Sequence, residues 1–359
     1  MELTVSPEIL AAYGFSSETA NVKQIGSGHI NSTFLVDIGD RSYVLQKINT
    51  AVFKDPCAIA HNVSAIADDL AKNHPDYLFP APIPALNGEL MVNHQNEYWR
   101  LLPYVVNTVA LDTLTDPKQA YEAAKQFGKL SRLLNKFDPG LLKPTIPGFH
   151  DLAWRYEQFD FALQQGDEKL QHMAADEIET AKHHHFLVSY FISYQQHGDF
   201  PDRVMHHDTK ISNVLLSKDN FTGVCVIDLD TLMPGKFISD LGDMIRTYVC
   251  AFSENETDLE QITIRIPYFE AMIKGYLSEM APILTNTEKE LILFAGKYMV
   301  YMQALRFLTD FLNGSIYYPI AYPTQNLDRA RNQFKLLSEL FEKEKILQSM
   351  IEEYLGNLL

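Results

Sequence analysis

The pattern of apolar and polar positions changes period twice along the chain. Ser6 before Pro7 and Glu8 reads as the N-terminus of a short helix reaching about Phe15. Alternation over residues 22–25, 31–38 and 42–48 then predicts three antiparallel strands, joined by Gly26-Ser27-Gly28-His29-Ile30 and by a turn at Gly39-Asp40. A helix is predicted over 56–72, and strands near 89–92 and 97–102 bring the total to five.

Past Pro103 the spacing becomes helical, with helices predicted over 118–137, 151–165 and 174–197 and several more from 259 onward. The apolar stretch 291–312 carries Lys297, Arg306 and Asp310, so it reads as a helix buried in the protein rather than a membrane span. Neither internal repeats nor low-complexity linkers interrupt the chain. The expected fold class is α+β and bilobal. A small five-stranded antiparallel lobe would occupy residues 1–105 and a large, mostly helical lobe 106–359, with a hinge near 103–106.

Between these periodic segments lies the stretch MHHDTKISNVLLSKDNFTGVCVIDLDTLMP, residues 205–234. His206, Asp208 and Asn213 are spaced H-x-D-x-x-x-x-N, and a β-branched run follows that ends in Asp228-Leu229-Asp230. Phosphoryl transfer needs a group near the attacking hydroxyl and a metal against the phosphate oxygens. Asp208 on a loop suits the first task, as general base. Asn213 and Asp228 offer the oxygen ligands that Mg²⁺ prefers, with water and phosphate completing its shell. His206 is expected to tie the loop together by hydrogen bonds.

This order of elements is the layout of a bilobal kinase, with ATP in the cleft between lobes. The hinge backbone at Leu102, Tyr104 or Val106 is positioned to pair with adenine. Gly26, Ser27 and Gly28 would fold over the phosphates, because glycine lets backbone N–H groups approach an anion. His29 and Asn31 would then face the acceptor or the phosphates. In protein kinases a Lys on the third strand and a Glu on the next helix grip the phosphates. Here Gln46 or Lys47 takes that position, depending on a one-residue choice of register, and the helix over 56–72 contains no Glu. Lys47 is the candidate phosphate contact.

Composition narrows the partners. The 359 residues carry 30 basic and 46 acidic side chains, a formal charge of −16 that argues against nucleic acid or an anionic membrane. Cys57, Cys225 and Cys250 form no C-x-x-C, so neither a disulfide framework nor a zinc site is indicated. The N-terminal residues lack a basic region before an apolar core, so no signal peptide is expected and a reducing cytoplasm fits. Consecutive His183, His184 and His185 cannot share one helix face and read as a solvated or locally bonded cluster.

With these residues in view the chain resembles the aminoglycoside phosphotransferase and choline kinase branch of the kinase-like fold. The segments that carry the resemblance are GHINSTF, YVLQKINTAVF, FHD at 149–151, HHDTKISNVLL, IDLDTLMPG, SDLGDMIR at 239–246 and ALRFLTDFLNGSIYY at 304–318. Within that branch it is similar to the N-acetylhexosamine 1-kinases. The resemblance implies ATP- and Mg²⁺-dependent phosphorylation of the anomeric hydroxyl of N-acetylglucosamine or N-acetylgalactosamine. It carries Asp208 over as base and Asn213 and Asp228 as metal ligands.

Reading a neutral sugar takes carboxylates, amides, Arg and an aromatic face. Asp230, Thr231, Arg306 and Tyr317 are the candidates, Tyr317 through the resemblance alone. Asp230 is alternatively a second metal ligand or a loop-holding acid, and Arg306 is either paired with an acid such as Asp310 or turned into the cleft. Asp240 and Asp243 are expected to brace the catalytic loop through backbone N–H groups. Two other readings stay open: a kinase of choline, homoserine or an aminoglycoside, and an inactive ATP-binding regulator. The oligomeric state is open, with a monomer favoured.

Overall fold

The structure, a computed structural model, describes residues 5–25 and 30–358. Helix α1 (Pro7–Ala12) leads into β1 (Asn21–Ile25), β2 (Ser32–Ile38) and β3 (Arg41–Lys47); α2 (Pro56–Asn73) follows, then β4 (Val92–His94) and β5 (Glu97–Pro103). These strands make one antiparallel sheet in the order β1-β2-β3-β5-β4. The fourth strand lies a little later than the alternation near 89–92 suggests. Gln95 and Asn96 both adopt positive φ, 53° and 64°, forming a tight turn that pairs His94 with Glu97 and so sets where β4 begins.

Side chains alternate across a strand, so the sheet has two chemically different faces. On one, Phe34, Val36, Leu45, Trp99 and Leu101 pack with Ile9 and Leu10 of α1 in a small core. On the other, Thr33, Gln46 and Arg100 stand opposite one another along β2, β3 and β5. Helix α2 places Ile59, Val63, Ile66 and Leu70 on a single face, and these join the large core of the helical part instead of the small one.

The rest of the chain runs β6 (Thr108–Val109), α3 (Pro117–Leu133), α4 (Leu152–Gln165), α5 (Glu168–Met173), α6 (Ala175–His183) and α7 (Phe186–Gln195). Next come β7 (Arg203–Met205), β8 (Val214–Ser217), β9 (Gly223–Val226), β10 (Met233–Gly235) and α8 (Ile238–Tyr248). Helices α9 (Ile266–Met280), α10 (Asn286–Glu290), α11 (Ile292–Leu312), α12 (Gln325–Glu342) and α13 (Glu344–Leu358) complete it. The single helix expected over 174–197 is broken. His184 Nδ1 meets Thr180 O at 2.9 Å and its ring stacks on Phe341, which turns the chain between α6 and α7. Helix α11 is buried along nearly its whole length, as its apolar run predicts. No helix among the described residues is long and apolar enough to cross a membrane.

Short strands position the chemistry. Strands β6, β8 and β9 form one small sheet, and β7 pairs with β10. The loop after β7, the turn before β8 and the turn after β9 therefore converge beneath the polar face of the five-stranded sheet.

Candidate active site

Residues 206–209 leave β7 as a loop whose backbone is held from below by α8. Asp240 accepts the backbone N–H groups of His206 (2.9 Å) and His207 (2.8 Å), and Asp243 accepts that of Thr209 (2.8 Å). Hydrogen bonds to an ionised acceptor contribute about 1.5–3 kcal/mol each, so this bracing is substantial. Asp240 lies in the buried first turn of α8, and burial pushes its carboxyl up to about 6. His206 contacts Ile227 O through Nε2 (3.0 Å) and accepts from Asp208 N through Nδ1 (3.3 Å), which ties this loop to the end of β9. His207 takes positive φ, 64°, and its Nδ1 is 3.1 Å from both Met205 O and Thr231 O. Burial drops its pKa to about 4, so it stays neutral. A Cβ on Gly235 would lie 2.4 Å from His207 Nε2, so only glycine lets the ring sit there.

The geometry leaves the Asp208 carboxylate partly free. Its Oδ2 accepts from Lys210 Nζ (2.8 Å) and Asn213 Nδ2 (2.9 Å). Burial works against its charge, but Lys210 and these hydrogen bonds outweigh burial and hold its pKa below the usual carboxylate range. Asn213 closes a short turn at Ile211–Asn213 and spends its amide nitrogen on Asp208, leaving the carbonyl oxygen as an acceptor. Ile227 N donates to Asn213 O at 2.8 Å, so Asn213 lies beside the residue preceding Asp228.

Asp228 adopts a left-handed backbone, φ 59° and ψ 60°, an uncommon conformation for a residue other than glycine. Its pKa is pushed up to about 7, first by burial and then by the charges of Asp230 and Asp208, against the opposing pull of Lys210 and Arg100. Carboxylates crowded this way suit a divalent cation. No cluster of three His, Cys, Asp or Glu side chains able to hold a metal by itself occurs among the described residues. The donor set, one half-buried carboxylate and one amide oxygen, fits a magnesium ion that takes its other oxygens from phosphates and water.

Asp230 makes its contacts inside the protein. It is buried, forms an ion pair with equally buried Arg100 of β5, and accepts from Asn31 Nδ2 at 2.7 Å. Arg100 in turn donates through Nε and Nη2 to Gln46 Oε1 (3.0 and 2.7 Å), and Gln46 Nε2 donates to Thr33 Oγ1 (3.1 Å). Asn31 Oδ1 accepts from Asn49 N (3.0 Å), and Thr231 Oγ1 donates to His206 O (2.6 Å). Of Asn31, Asp230 and Thr231, all read from sequence as substrate contacts, the first two thus join the sheet side to the turn after β9, and Thr231 joins that turn to the catalytic loop. The register leaves Gln46 on the face toward that loop, whereas Lys47 lies on the other face, paired with Glu97. Helix α2 contains no Glu and carries buried Asn62, whose Nδ2 donates to Leu232 O (2.8 Å) and Lys143 O (2.7 Å).

Arg306 and Tyr317 line a hollow of about 430 Å³ together with Trp154, Arg155, Thr309 and Tyr318. Arg306 does not pair with Asp310. That carboxylate accepts from the backbone of Ile316, Tyr317 and Tyr318 and from Asn326, holding the loop that carries Tyr317. Arg306 donates to Gln303 Oε1 (2.9 Å) and lies 5.3 Å from the Phe149 ring centroid. Arg155 lies over Trp154 at 4.6 Å and donates to Gln158 and to Phe149 O. Its pKa is lowered to about 10, first by burial and then by Arg306. Buried Arg155 Nε and Thr309 Oγ1 have no protein partner. Phe149 stacks on His150, which lies 5.3 Å from His207, so the hollow connects through packed rings to the residue beside Asp208.

Gly26, Ser27, Gly28 and His29 lie outside the described residues. Tyr104 and Val106 are exposed on the connection between β5 and β6. Sequence reading passed over Lys210, Arg100, Asn62, Trp154 and Arg155. Arg100 carried a signal, a lone charge inside the apolar strand YWRLL. The others follow from tertiary proximity.

The family model APH, Phosphotransferase enzyme family, matches residues 21–268. Among solved structures, a microcompartment-associated aminopropanol kinase is 16% identical with a TM-score of 0.62, over 94% of this chain and 97% of that one. A spectinomycin phosphotransferase in complex with ADP and spectinomycin is 15% identical with a TM-score of 0.57, over 94% and 97%. A choline kinase from Cryptosporidium parvum Iowa II is 15% identical with a TM-score of 0.54, over 96% and 95%. At these identities the likeness shows the fold, which is protein-kinase-like, with the five-stranded sheet and helical C-terminal part described above.

Proposed function

Because the chain belongs to the phosphotransferase enzyme family, we propose that it transfers the γ-phosphoryl group of ATP to the anomeric hydroxyl of an N-acetylhexosamine, N-acetylglucosamine or N-acetylgalactosamine. The observation that carries the acceptor class is the hollow lined by Arg155 and Arg306, which the packed rings of Phe149 and His150 connect to His207 of the catalytic loop. Arg155 and Arg306 face it without an ion-pair partner among the described residues, and Trp154, Tyr317 and Tyr318 supply flat apolar surfaces. A cationic amino alcohol would meet two guanidinium charges there. A neutral sugar with an acetamido carbonyl gains hydrogen-bond donors and an aromatic face, in a hollow of ordinary size for a small ligand.

In this reading the Asp208 carboxylate orients the acceptor hydroxyl and receives its proton. Lys210, which donates to Asp208 Oδ2, keeps that carboxylate ionised and so able to take the proton. Asn213 and Asp228 hold Mg²⁺. When bound, that ion neutralises the phosphate oxygens during transfer. The bracing of the loop by Asp240 and Asp243 keeps Asp208 and Asn213 in one arrangement, so little reorganisation is needed as the reaction proceeds. Gly26, Ser27 and Gly28 would cover the phosphates, and the exposed stretch at Tyr104 and Val106 is the proposed adenine contact.

The second reading, a kinase of an amino alcohol, draws support from the aminopropanol and choline kinases that share the fold, and from exposed Glu157 at the rim of the hollow. An acceptor panel scored by ADP release separates the two, with phosphorus NMR placing the phosphate on the sugar. Formation of a sugar 1-phosphate is the expected result. ADP release with amino alcohols and none with N-acetylhexosamines would sink the sugar reading.

A further inference from the structure

The contact between Arg100 and Asp230 crosses from the five-stranded sheet to the turn that carries Asp228. Both side chains are buried, with exposures of 2% and 1%. Burying two charges costs several kcal/mol unless geometry and hydrogen bonding are excellent. Here the Asp230 oxygen facing Arg100 makes no aligned hydrogen bond, so the contact is one of charge. As a stabilising device it is poor. As a positioning device it is well built, because each partner is held on its other side: Arg100 by Gln46 through two hydrogen bonds, and Asp230 by Asn31, itself tied to Asn49.

Two further contacts hold the same short segment that begins at Asp228: Asn62 of α2 donates to Leu232 O, and Thr231 donates to His206 O of the catalytic loop. Asp228 itself sits in a left-handed conformation that must be held by its surroundings. The Lys–Glu pair by which protein kinases couple the small lobe to the phosphates is missing here, since Lys47 faces the other side of the sheet and α2 has no Glu.

We propose that Arg100 is a positioning residue for phosphoryl transfer: through its ion pair with Asp230 it fixes the turn bearing Asp228 against the five-stranded sheet, so that nucleotide phosphates held from the sheet and metal held from the turn meet in register. Arg100 acts through Asp230 and touches neither acceptor nor metal. The inference rests on the phosphotransferase reading and is independent of which acceptor is used.

The test uses the full chain and measures ADP affinity by calorimetry with and without Mg²⁺, alongside thermal melting. Arg100→Met leaves Asp230 charged and unpaired and should lose both stability and the Mg²⁺-dependent gain in ADP affinity. The double variant Arg100→Met, Asp230→Asn removes both charges and keeps an oxygen for Asn31. It should melt close to the wild type yet lose about 10–100-fold of the Mg²⁺-dependent gain, the usual effect of removing support around a metal site. A double variant with the wild-type gain would overturn the proposal, since the pair would then be a structural contact only. Should the double variant fail to fold, Asp230→Asn alone removes the charge that Arg100 pairs with and keeps an oxygen for Asn31. A reduced gain in that protein upholds the proposal and a wild-type gain refutes it. If the wild type itself shows no Mg²⁺-dependent ADP binding, the phosphotransferase reading fails and this inference falls with it. If it binds ADP with Mg²⁺ but phosphorylates no N-acetylhexosamine, only the choice of acceptor fails.

Discussion

The N–H of Ile227 donates to the carbonyl oxygen of Asn213 at 2.8 Å, which brings the last residue of the H-x-D-x-x-x-x-N motif beside the residue preceding Asp228. Two motif halves separated along the chain become one site through a backbone bond, and the bond does not depend on the side chain of either residue.

That independence gives a clean mutational test. Asn213→Ala keeps the backbone link, so folding should be little affected. The Mg²⁺ concentration for half-maximal turnover should rise by on the order of 10-fold or more. Asp208→Asn should instead lower kcat by about 10²–10⁴-fold with nucleotide affinity nearly unchanged. Steady-state kinetics across a magnesium series separate the two; equal behaviour of both variants would contradict the assigned roles.

Asp240→Ala should destabilise the fold as well as the catalytic loop. It strands the N–H groups of His206 and His207 inside the protein, at a cost of about 1–3 kcal/mol each. Relief of the buried carboxylate, already pushed up to about 6, offsets part of this. Urea denaturation at neutral pH should show a net loss of roughly 2–4 kcal/mol. A loss under 0.5 kcal/mol, of the size usual for a surface substitution, would mean the bracing is incidental.

His207 links stability to pH. Its folded pKa of about 4 lies below the ordinary 6.5, so between those values the unfolded chain binds a proton that the folded chain refuses. Stability from this group is therefore complete above about pH 6.5 and lost as pH falls toward 4, by about 3 kcal/mol in total. His150 beside it, held well below the ordinary range by burial, acts in the same direction. Asp240 and Asp228 titrate with the opposite sign, so the informative quantity is the stability difference between wild type and His207→Asn. That difference should be larger at pH 7 than at pH 4.5; a constant difference would show that His207 does not titrate in this window.

Arg155 and Arg306 should act on the acceptor alone. Arg306→Met and Arg155→Met are each expected to raise KM for N-acetylhexosamine by about 10-fold, the equivalent of one hydrogen bond to a charged donor, without changing KM for ATP. A matching rise in both KM values would place these arginines outside the acceptor pocket. Improved use of choline or aminopropanol by either variant would further support guanidinium charge as the element that excludes cations.

Much of the candidate site was proposed from one dimension because its residues are close in sequence. Asp208 and Asn213 are five residues apart on one loop, and Asp228 lies in the turn just after an adjoining strand. Asp240 and Asp243, facing that loop from one helix end, were also readable as braces. The single helix expected over 174–197 was not divisible from periodicity, since the break at His184 depends on a ring packing against Phe341 of a distant helix. Nor could alternation place β4, whose start follows from a turn at Gln95 and Asn96.

Sequence by itself determined the class of fold and the order of the phosphotransferase motifs, because periodicity and short spacing are properties of neighbouring residues. Only the tertiary structure decided that Gln46, not Lys47, faces the loop, since one residue of register exchanges the two faces of a strand. It also decided that Asp230 belongs to Arg100 and that Arg306 turns away from Asp310. Charges with several partners within reach are assigned by burial and distance in three dimensions, and a linear pattern carries neither.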